Sequence, residues 1–307
     1  MNPPAPPRPL RERLLPIPRD SGLRMPGYFV WCGSMIRADG RFHLFASRWP
    51  ERAAFPDGYR DHSEIVRADA PTPLGPFTFR EVVLAGRGGG LWDGKMCHNP
   101  KIAEVGGRCV LYYIGSAVGS GLRKVGYAVA DSVYGPWERV AEPLPLGEDA
   151  NNPAPYFHPD GSVLLAYRDR SLHMHIARAP AYDGPYSVVA QDIFPAGMLE
   201  DPDLHVRDGR YHLIVEDNAG LLTGHVRHGG HLTSDDVLRW VPESPAEAYT
   251  HTLPWADGAT ETADRRERPE LFNAHAPVKG SGEPTHLITG VLLNGKSWCV
   301  VQPIAPR

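Results

Sequence analysis

The 307-residue sequence predicts an all-β fold: a five-bladed β-propeller with four antiparallel strands per blade and a funnel-shaped central site. Three observations carry this prediction. A tripeptide corner followed by a β-hairpin recurs five times in phase. A second recurring segment supplies a third strand, a loop closed by Gly-Pro, and an aromatic that opens a fourth strand. The 32 glycines and 32 prolines are the composition of short strands joined by tight turns, not of long helices.

The corner-and-hairpin copies are WCGSMIRADGRFHLFASRW from Trp31, HNPKIAEVGGRCVLYYIGS from His98, NNPAPYFHPDGSVLLAYRDR from Asn151, EDPDLHVRDGRYHLIVEDN from Glu200 and ERPELFNAHAPVKGSGEPTHLITG from Glu267. Their turns, ADG, GG, PDG and RDG, supply positive φ or an Asx turn between apolar runs. The first copy is read with Ser34 where the others carry proline. The second register follows as SEIVRADAPTPLGPF, VGYAVADSVYGPW and MHIARAPAYDGPY, with a degenerate GGHLTSDDVLRW ending at Trp240. After the fifth hairpin only SWCVVQPIAPR remains, so residues near Leu14 to Ile17 are expected to supply the missing strand. The chain therefore reads as one domain, 1–307, whose N-terminal segment, 1–25, closes the last blade. Long corner spacings after blades one and four predict loops that wall the funnel. A β-sandwich or two small β domains is the competing architecture, but neither needs five corners in phase, and no linker divides the chain.

Several function classes are excluded by composition. Charged residues make up 22% of the chain with a net charge of −4, and no basic run tracks a phosphate backbone, so nucleic acid is not an expected partner. No apolar stretch is long enough to span a membrane. The proline-broken N-terminus lacks a signal-peptide core, which reads as a cytoplasmic protein. Cys32, Cys97, Cys109 and Cys299 show no CxxC spacing and predict neither a zinc site nor a disulfide framework. The oligomeric state is left open.

In a propeller, the first-strand corners and the ends of the second strands converge on the axis. The candidate binding residues are Trp31, His98, Asn99, Asn152, Glu267 and Arg268 from the corners, with Arg48, Trp49 and Arg168 from the second strands. Bidentate polar groups suit vicinal hydroxyls and aromatic faces suit the C–H face of a sugar, so the expected ligand is a carbohydrate. The competing reading is that Asn and Asp before proline merely cap turns. Blade four concentrates acid in Glu200, Asp201, Glu216 and Asp217. Neighbouring carboxylates raise one another's pKa and can keep a general acid protonated, and a glycosidase sets such an acid against a second carboxylate. Glu200 is the first choice for the acid, with Asp93, Asp201 and Asp217 as candidates for its partner.

FASRWP, WDGKMCHNP, NNPAP and EDPDLHV resemble the five-bladed propeller glycosidases of families 43, 32 and 117, over most of the chain. The resemblance implies hydrolysis of a glycosidic bond and places Glu200 on the family 43 general acid. It departs at Cys32-Gly33-Ser34 and at Asn152-Pro153, where that family carries aspartates. No cofactor is required, although similar propellers sometimes hold Ca²⁺ or another divalent ion on the axis. Arg48, Arg168 and Arg268 point to a substrate with a carboxylate, sulfate or phosphate, against structural pairing with Asp169, Glu267 or Glu64. An anionic substrate opens an alternative, a lyase or isomerase acting on a uronate with a base such as His98. A non-catalytic carbohydrate-binding propeller is the third reading.

Overall fold

The computed structural model describes residues 8–276 and 279–307. Blade one is β1 (Tyr28–Ala38), β2 (Arg41–Pro50), β3 (Glu64–Ala70) and β4 (Thr78–Leu84), paired in that order. Blade two is β5 (Met96–Val105), β6 (Arg108–Ser116), β7 (Lys124–Ala130) and β8 (Glu138–Arg139). Blade three is β9 (Asn151–Phe157), β10 (Val163–Arg168), β11 (Met174–Ala179) and β12 (Ser187–Ala190). Blade four is β13 (Leu199–Arg207), β14 (Arg210–Asp217), β15 (Gly229–Ser234) and β16 (Val241–Tyr249). A hairpin of β17 (Thr252–Pro254) and β18 (Thr260–Thr262), absent from the sequence reading, precedes a three-stranded fifth blade. That blade is β19 (Arg265–Phe272), β20 (His286–Leu293) and β21 (Lys296–Pro303).

Local sequence explains these elements. Asp39-Gly40, Gly106-Gly107, Asp208-Gly209 and Asn294-Gly295 all adopt positive φ, the geometry that two-residue hairpins need to match strand twist. The Gly-Pro signals at 75–76, 135–136 and 184–185 are cis peptides, each followed at once by Phe77, Trp137 or Tyr186 and then an outer strand. β2, β6 and β10 are buried along nearly their whole length, as strands sandwiched between neighbouring blades must be.

Ring closure is visible in the cores. Phe45 and Ile65 of blade one pack with Leu111 and Tyr113 of blade two. Tyr112 of blade two packs with Leu165 of blade three, and Leu164 of blade three with Leu213 of blade four. Ile214 of blade four meets Leu271 and Leu287 of blade five, and Ile288 and Val301 of blade five meet Leu44 of blade one. Every blade thus shares apolar side chains with both neighbours. No helix among the described residues is long and apolar enough to cross a membrane; α1 (Leu10–Arg13) and α2 (Tyr59–His62) are single turns.

The N-terminal segment runs beside β21. Isolated bridges join Leu14 to Ile304 and Leu23 to Cys299, with Leu23 N–H donating to the Cys299 carbonyl at 2.9 Å. Between them, Ile17 pairs with Trp255 of the extra hairpin. Gly22 has φ +87, and a Cβ there would lie 1.9 Å from the Cys299 carbonyl oxygen. Gly27 has a similar φ of +82 but nothing within 4 Å of its absent Cβ. Gly22→Ala is therefore expected to cost more than Gly27→Ala, which carries only the backbone strain of about 1–3 kcal/mol. Urea denaturation of the two variants checks this; equal losses would show that the Gly22 contact with β21 is not a structural clasp.

Candidate active site

Each blade's first strand is interrupted at the axis by the same device. Register shifts fall between Trp31 and Ser34, His98 and Lys101, Glu200 and Asp203, and Glu267 and Glu270, with the blade-three shift opposite Asn152. At each bulge one non-glycine residue takes positive φ: Cys32 (59), Asn99 (54), Asn152 (53), Asp201 (53) and Arg268 (60). Such residues are costly singly, and the same conformation recurs at all five corners. The structure also corrects the blade-one alignment. Cys32 is the equivalent of Asn99, and Gly33, not Ser34, stands where the other corners carry proline.

The five side chains form a chain of contacts that floors the funnel. Cys32 Sγ donates to Asn99 Oδ1 at 2.8 Å, Asn99 Nδ2 to Asn152 Oδ1 at 2.6 Å, and Asn152 Nδ2 to Asp201 Oδ1 at 2.5 Å. Arg268 closes an ion pair on the same Asp201 oxygen. Burial pushes the Cys32 thiol up to about 12, so it stays a donor.

Above this floor opens a cleft of about 220 Å³. One wall is aromatic. Trp31 and Trp49 line it but are only 3% and 1% exposed. They back Phe55 and Tyr59, which come from the loop after β2 and are half-buried. Trp49 stacks on Phe55 at 5.6 Å, and Tyr59 stacks on His98 at 4.5 Å. His98 Nδ1 contacts Ser63 Oγ at 2.8 Å, and burial first, then Arg268 and Arg123, push its pKa well down, leaving a neutral imidazole.

The other wall is charged and comes from blades three to five. Arg168 Nη2 lies 2.6 Å from Glu200 Oε1. Arg227 Nη1 reaches Glu216 Oε1 at 3.0 Å and Glu267 Oε1 at 2.9 Å, and Arg265 Nη1 reaches the same Glu267 oxygen at 3.2 Å. Neighbouring carboxyls are driven apart in acidity. Burial would raise Glu200, but Arg168 and then Arg268 outweigh it and hold Glu200 below the usual range. Burial raises Asp201 to about 6 against the pull of Arg268, with Glu200 and Glu267 adding to the rise. Glu216 is raised well above its usual value by burial, then by Glu267, Asp201 and Glu200. Asp201 Oδ2 and Glu216 Oε2 are buried with no donor, and the two side chains are in hydrogen-bonding contact, so one proton shared between them satisfies both.

Three sequence candidates lie elsewhere. Arg48 points away from the cleft: it pairs with Glu64 at 2.7 Å and lies over the rings of Tyr28 and Phe79. Asp217 turns its carboxylate to the amides of Leu221, Leu222 and Thr223 and caps that loop. Asp93 is fully buried between Arg87, Arg139 and the Tyr113 hydroxyl. For Arg48 and Asp217 the reason is strand alternation: Trp49 and Glu216 face inward, so these neighbours face outward; Asp93 precedes β5 and lies on no strand. The residues brought together are Trp31, Trp49, His98, Arg168, Glu200, Glu267 and Arg268 in the cleft, with Asn99, Asn152 and Asp201 in its floor. Sequence reasoning missed Phe55, Asp57, Tyr59, Arg123, Arg227 and Arg265, none of which sits on a repeated corner.

The axis does not fit a divalent cation. Below the floor, Lys101 Nζ contacts Asp203 Oδ1 at 2.9 Å and Glu270 Oε2 at 3.3 Å, and Lys279 Nζ contacts Glu270 Oε2 at 3.0 Å. Two ammonium groups already neutralise the axial carboxylates. Asp201, Glu216 and Glu267 offer oxygens within 4.8 Å of one another, yet Arg268, Arg227 and Arg265 supply their counter-charge. His212, His231 and Glu243 also cluster, beside Arg207 and Arg210 at the N-terminal edge of blade four rather than in the funnel.

Comparison with known proteins finds no matching family profile and no curated sequence relative. Solved structures do match. A thermostable family-43 glycoside hydrolase superposes with TM-score 0.66 at 11% identity, covering 93% of each chain. A family 117 glycoside hydrolase of the marine bacterium Zobellia galactanivorans gives 0.66 at 17% identity, over 94% of this chain and 87% of its own. A β-xylosidase/α-arabinofuranosidase from a compost microbial metagenome, in complex with xylotriose and calcium-free, gives 0.63 at 14% identity, over 95% and 96%. The fold is thus the five-bladed propeller seen in family 43 and family 117 glycoside hydrolases.

The shared proton has a stability consequence. The folded state binds a proton at Asp201 and Glu216 that the unfolded chain releases at its ordinary carboxylate pKa. Their stabilising contribution is therefore full below the unfolded values and is lost as pH rises through about 6 for Asp201 and higher for Glu216. Thermal melts should show Tm falling from mildly acidic to alkaline pH, with a shallower fall in Glu216→Gln. An identical slope in both proteins would remove the shared proton from the account.

Proposed function

We infer that the protein is a glycoside hydrolase that binds an oligosaccharide or small glycoside in the funnel and cleaves it with blade-four carboxyls. The observation that carries this reading is the unequal setting of adjacent carboxyls: Glu200 is paired with Arg168 at 2.6 Å and lies low in acidity, while Asp201 and Glu216 are buried, each with one oxygen that meets no donor, and lie high. Glycosidic cleavage needs one carboxyl of each kind: an acid to protonate the departing oxygen, and a carboxylate to activate water or attack the anomeric carbon. The sequence alone gives Glu200 the acid's role. Its Arg168 partner fits it better to the carboxylate's role, and the proton for the leaving group then resides on Asp201 and Glu216. The glycoside hydrolase neighbours support the coarse reading. The aromatic wall of Phe55 and Tyr59 supports a sugar as ligand.

A lyase or isomerase acting on an anionic sugar is a second reading. It is favoured by the neutral imidazole of His98, which lines the wall across from the arginines.

Glu200→Gln is expected to lower turnover by about 10²–10⁴-fold while sugar binding survives. In the wild type, kcat/KM should be bell-shaped, falling on the alkaline side as the Asp201–Glu216 pair gives up its shared proton and on the acid side as Glu200 gains one. Release of reducing sugar measures both. Unchanged turnover in Glu200→Gln would remove that residue from the mechanism. A product absorbing in the near ultraviolet, with no new reducing end from water, would favour the lyase.

A further inference from the structure

The cleft is unevenly charged. Six arginines line it, Arg60, Arg123, Arg168, Arg227, Arg265 and Arg268, against Asp57, Glu200 and Glu267. Most are neutralised individually: Arg60 by Asp57, Arg123 by Asp149 and Arg168 by Glu200, while Arg268 sits on Asp201 and takes the one charge that the Asp201–Glu216 pair retains. Arg227 and Arg265 are different. Both place Nη1 on one carboxylate oxygen, Glu267 Oε1, and the second partner of Arg227, Glu216, belongs to the pair that keeps a proton. Two guanidiniums therefore share about one negative charge. Their side chains are 35% and 30% exposed in the cleft, and no other acceptor among the described residues engages them. Arg168 adds a buried Nε with no hydrogen-bond partner.

A guanidinium presents a planar fork that matches carboxylate and sulfate oxygens two at a time. Arg265 reaches over the aromatic wall, its Cζ 5.7 Å from the centre of the Phe55 ring. A ligand with an anionic group beside Arg265 and an apolar sugar face on Phe55 would meet both walls at once.

We propose that the sugar bound in this funnel carries an anionic substituent, a carboxylate or a sulfate, which Arg227 and Arg265 clamp while the ring lies against Phe55 and Tyr59. The proposal rests on the carbohydrate reading above and deepens it by naming the substrate class. The ligand's single negative charge balances the excess at Arg227 and Arg265, and Glu200 stays paired with Arg168.

Isothermal titration of the full chain with glucuronate, galacturonate and galactose 6-sulfate, each against its neutral parent sugar, tests this. At least one acidic sugar is expected to bind about tenfold or more tightly than its parent, with the advantage shrinking as salt is added. Arg265→Gln should erase the advantage and leave the weaker neutral binding in place; Arg265→Lys should restore part of it. Preference among the three ligands tells carboxylate from sulfate. Equal affinity for acidic and neutral sugars, or no measurable binding of any acidic sugar, overturns the proposal. So does an equal loss of both in Arg265→Gln. Binding of acidic sugars, with no new reducing end released from oligosaccharides of the same acidic sugars over long incubation, would instead overturn the hydrolase reading and leave this one standing.

Discussion

The structure depends on the side-chain chain that crosses the axis, Cys32 to Asn99 to Asn152 to Asp201 to Arg268. A propeller brings five strand edges to one line, and each bulge frees a backbone amide that must find an acceptor. Ser47 takes the Asn99 amide, Ser34 the Ile102 amide, Glu270 the Met35 amide and Asp203 the Leu271 amide. Blade one thus serves blade two, blade four serves blade five, and blade five serves blade one. Breaking any of these contacts would leave a further buried polar group unpaired.

This commitment also shapes the chemistry. With carboxamides at Asn99 and Asn152 and a thiol at Cys32, three of the five corners put no charge on the floor. Negative charge is forced into blades four and five, where Glu200, Asp201, Glu216 and Glu267 crowd together. Crowded buried carboxylates cannot all ionise, and the arginines decide which do. Glu200, closest to Arg168, keeps its charge. Asp201 and Glu216, each with an oxygen facing no donor, keep a proton between them.

Much of this was legible in the sequence, for a physical reason. The corners recur because five blades meet the axis with one geometry, and Asn-Pro, Asp-Pro and Arg-Pro are short signatures of it. The hairpin turns and Gly-Pro loops recur for the same cause. What sequence could not supply is side-chain direction and loop placement. Arg48 next to Trp49, and Asp217 next to Glu216, look equivalent in a string, but strand alternation sends one of each pair outward. Phe55, Tyr59 and Arg227 lie on connections between strands that occur once, with no repeat to align. Their only signal was the long corner spacing after blades one and four, which predicted walls without naming residues. The axial cation was likewise undecidable without the placement of Lys101 between Asp203 and Glu270 and of Lys279 on Glu270.

The central claim is that adjacent blade-four carboxyls hold opposite charge states. Carbon-13 NMR titration of the protein labelled at its Asp and Glu carboxyls reads this directly. The account predicts a Glu200 signal already that of a carboxylate in mild acid and a Glu216 signal still that of a carboxylic acid at neutral pH, each assigned by loss in its Gln variant. Glu200 and Glu216 titrating together near the ordinary glutamate value would contradict it.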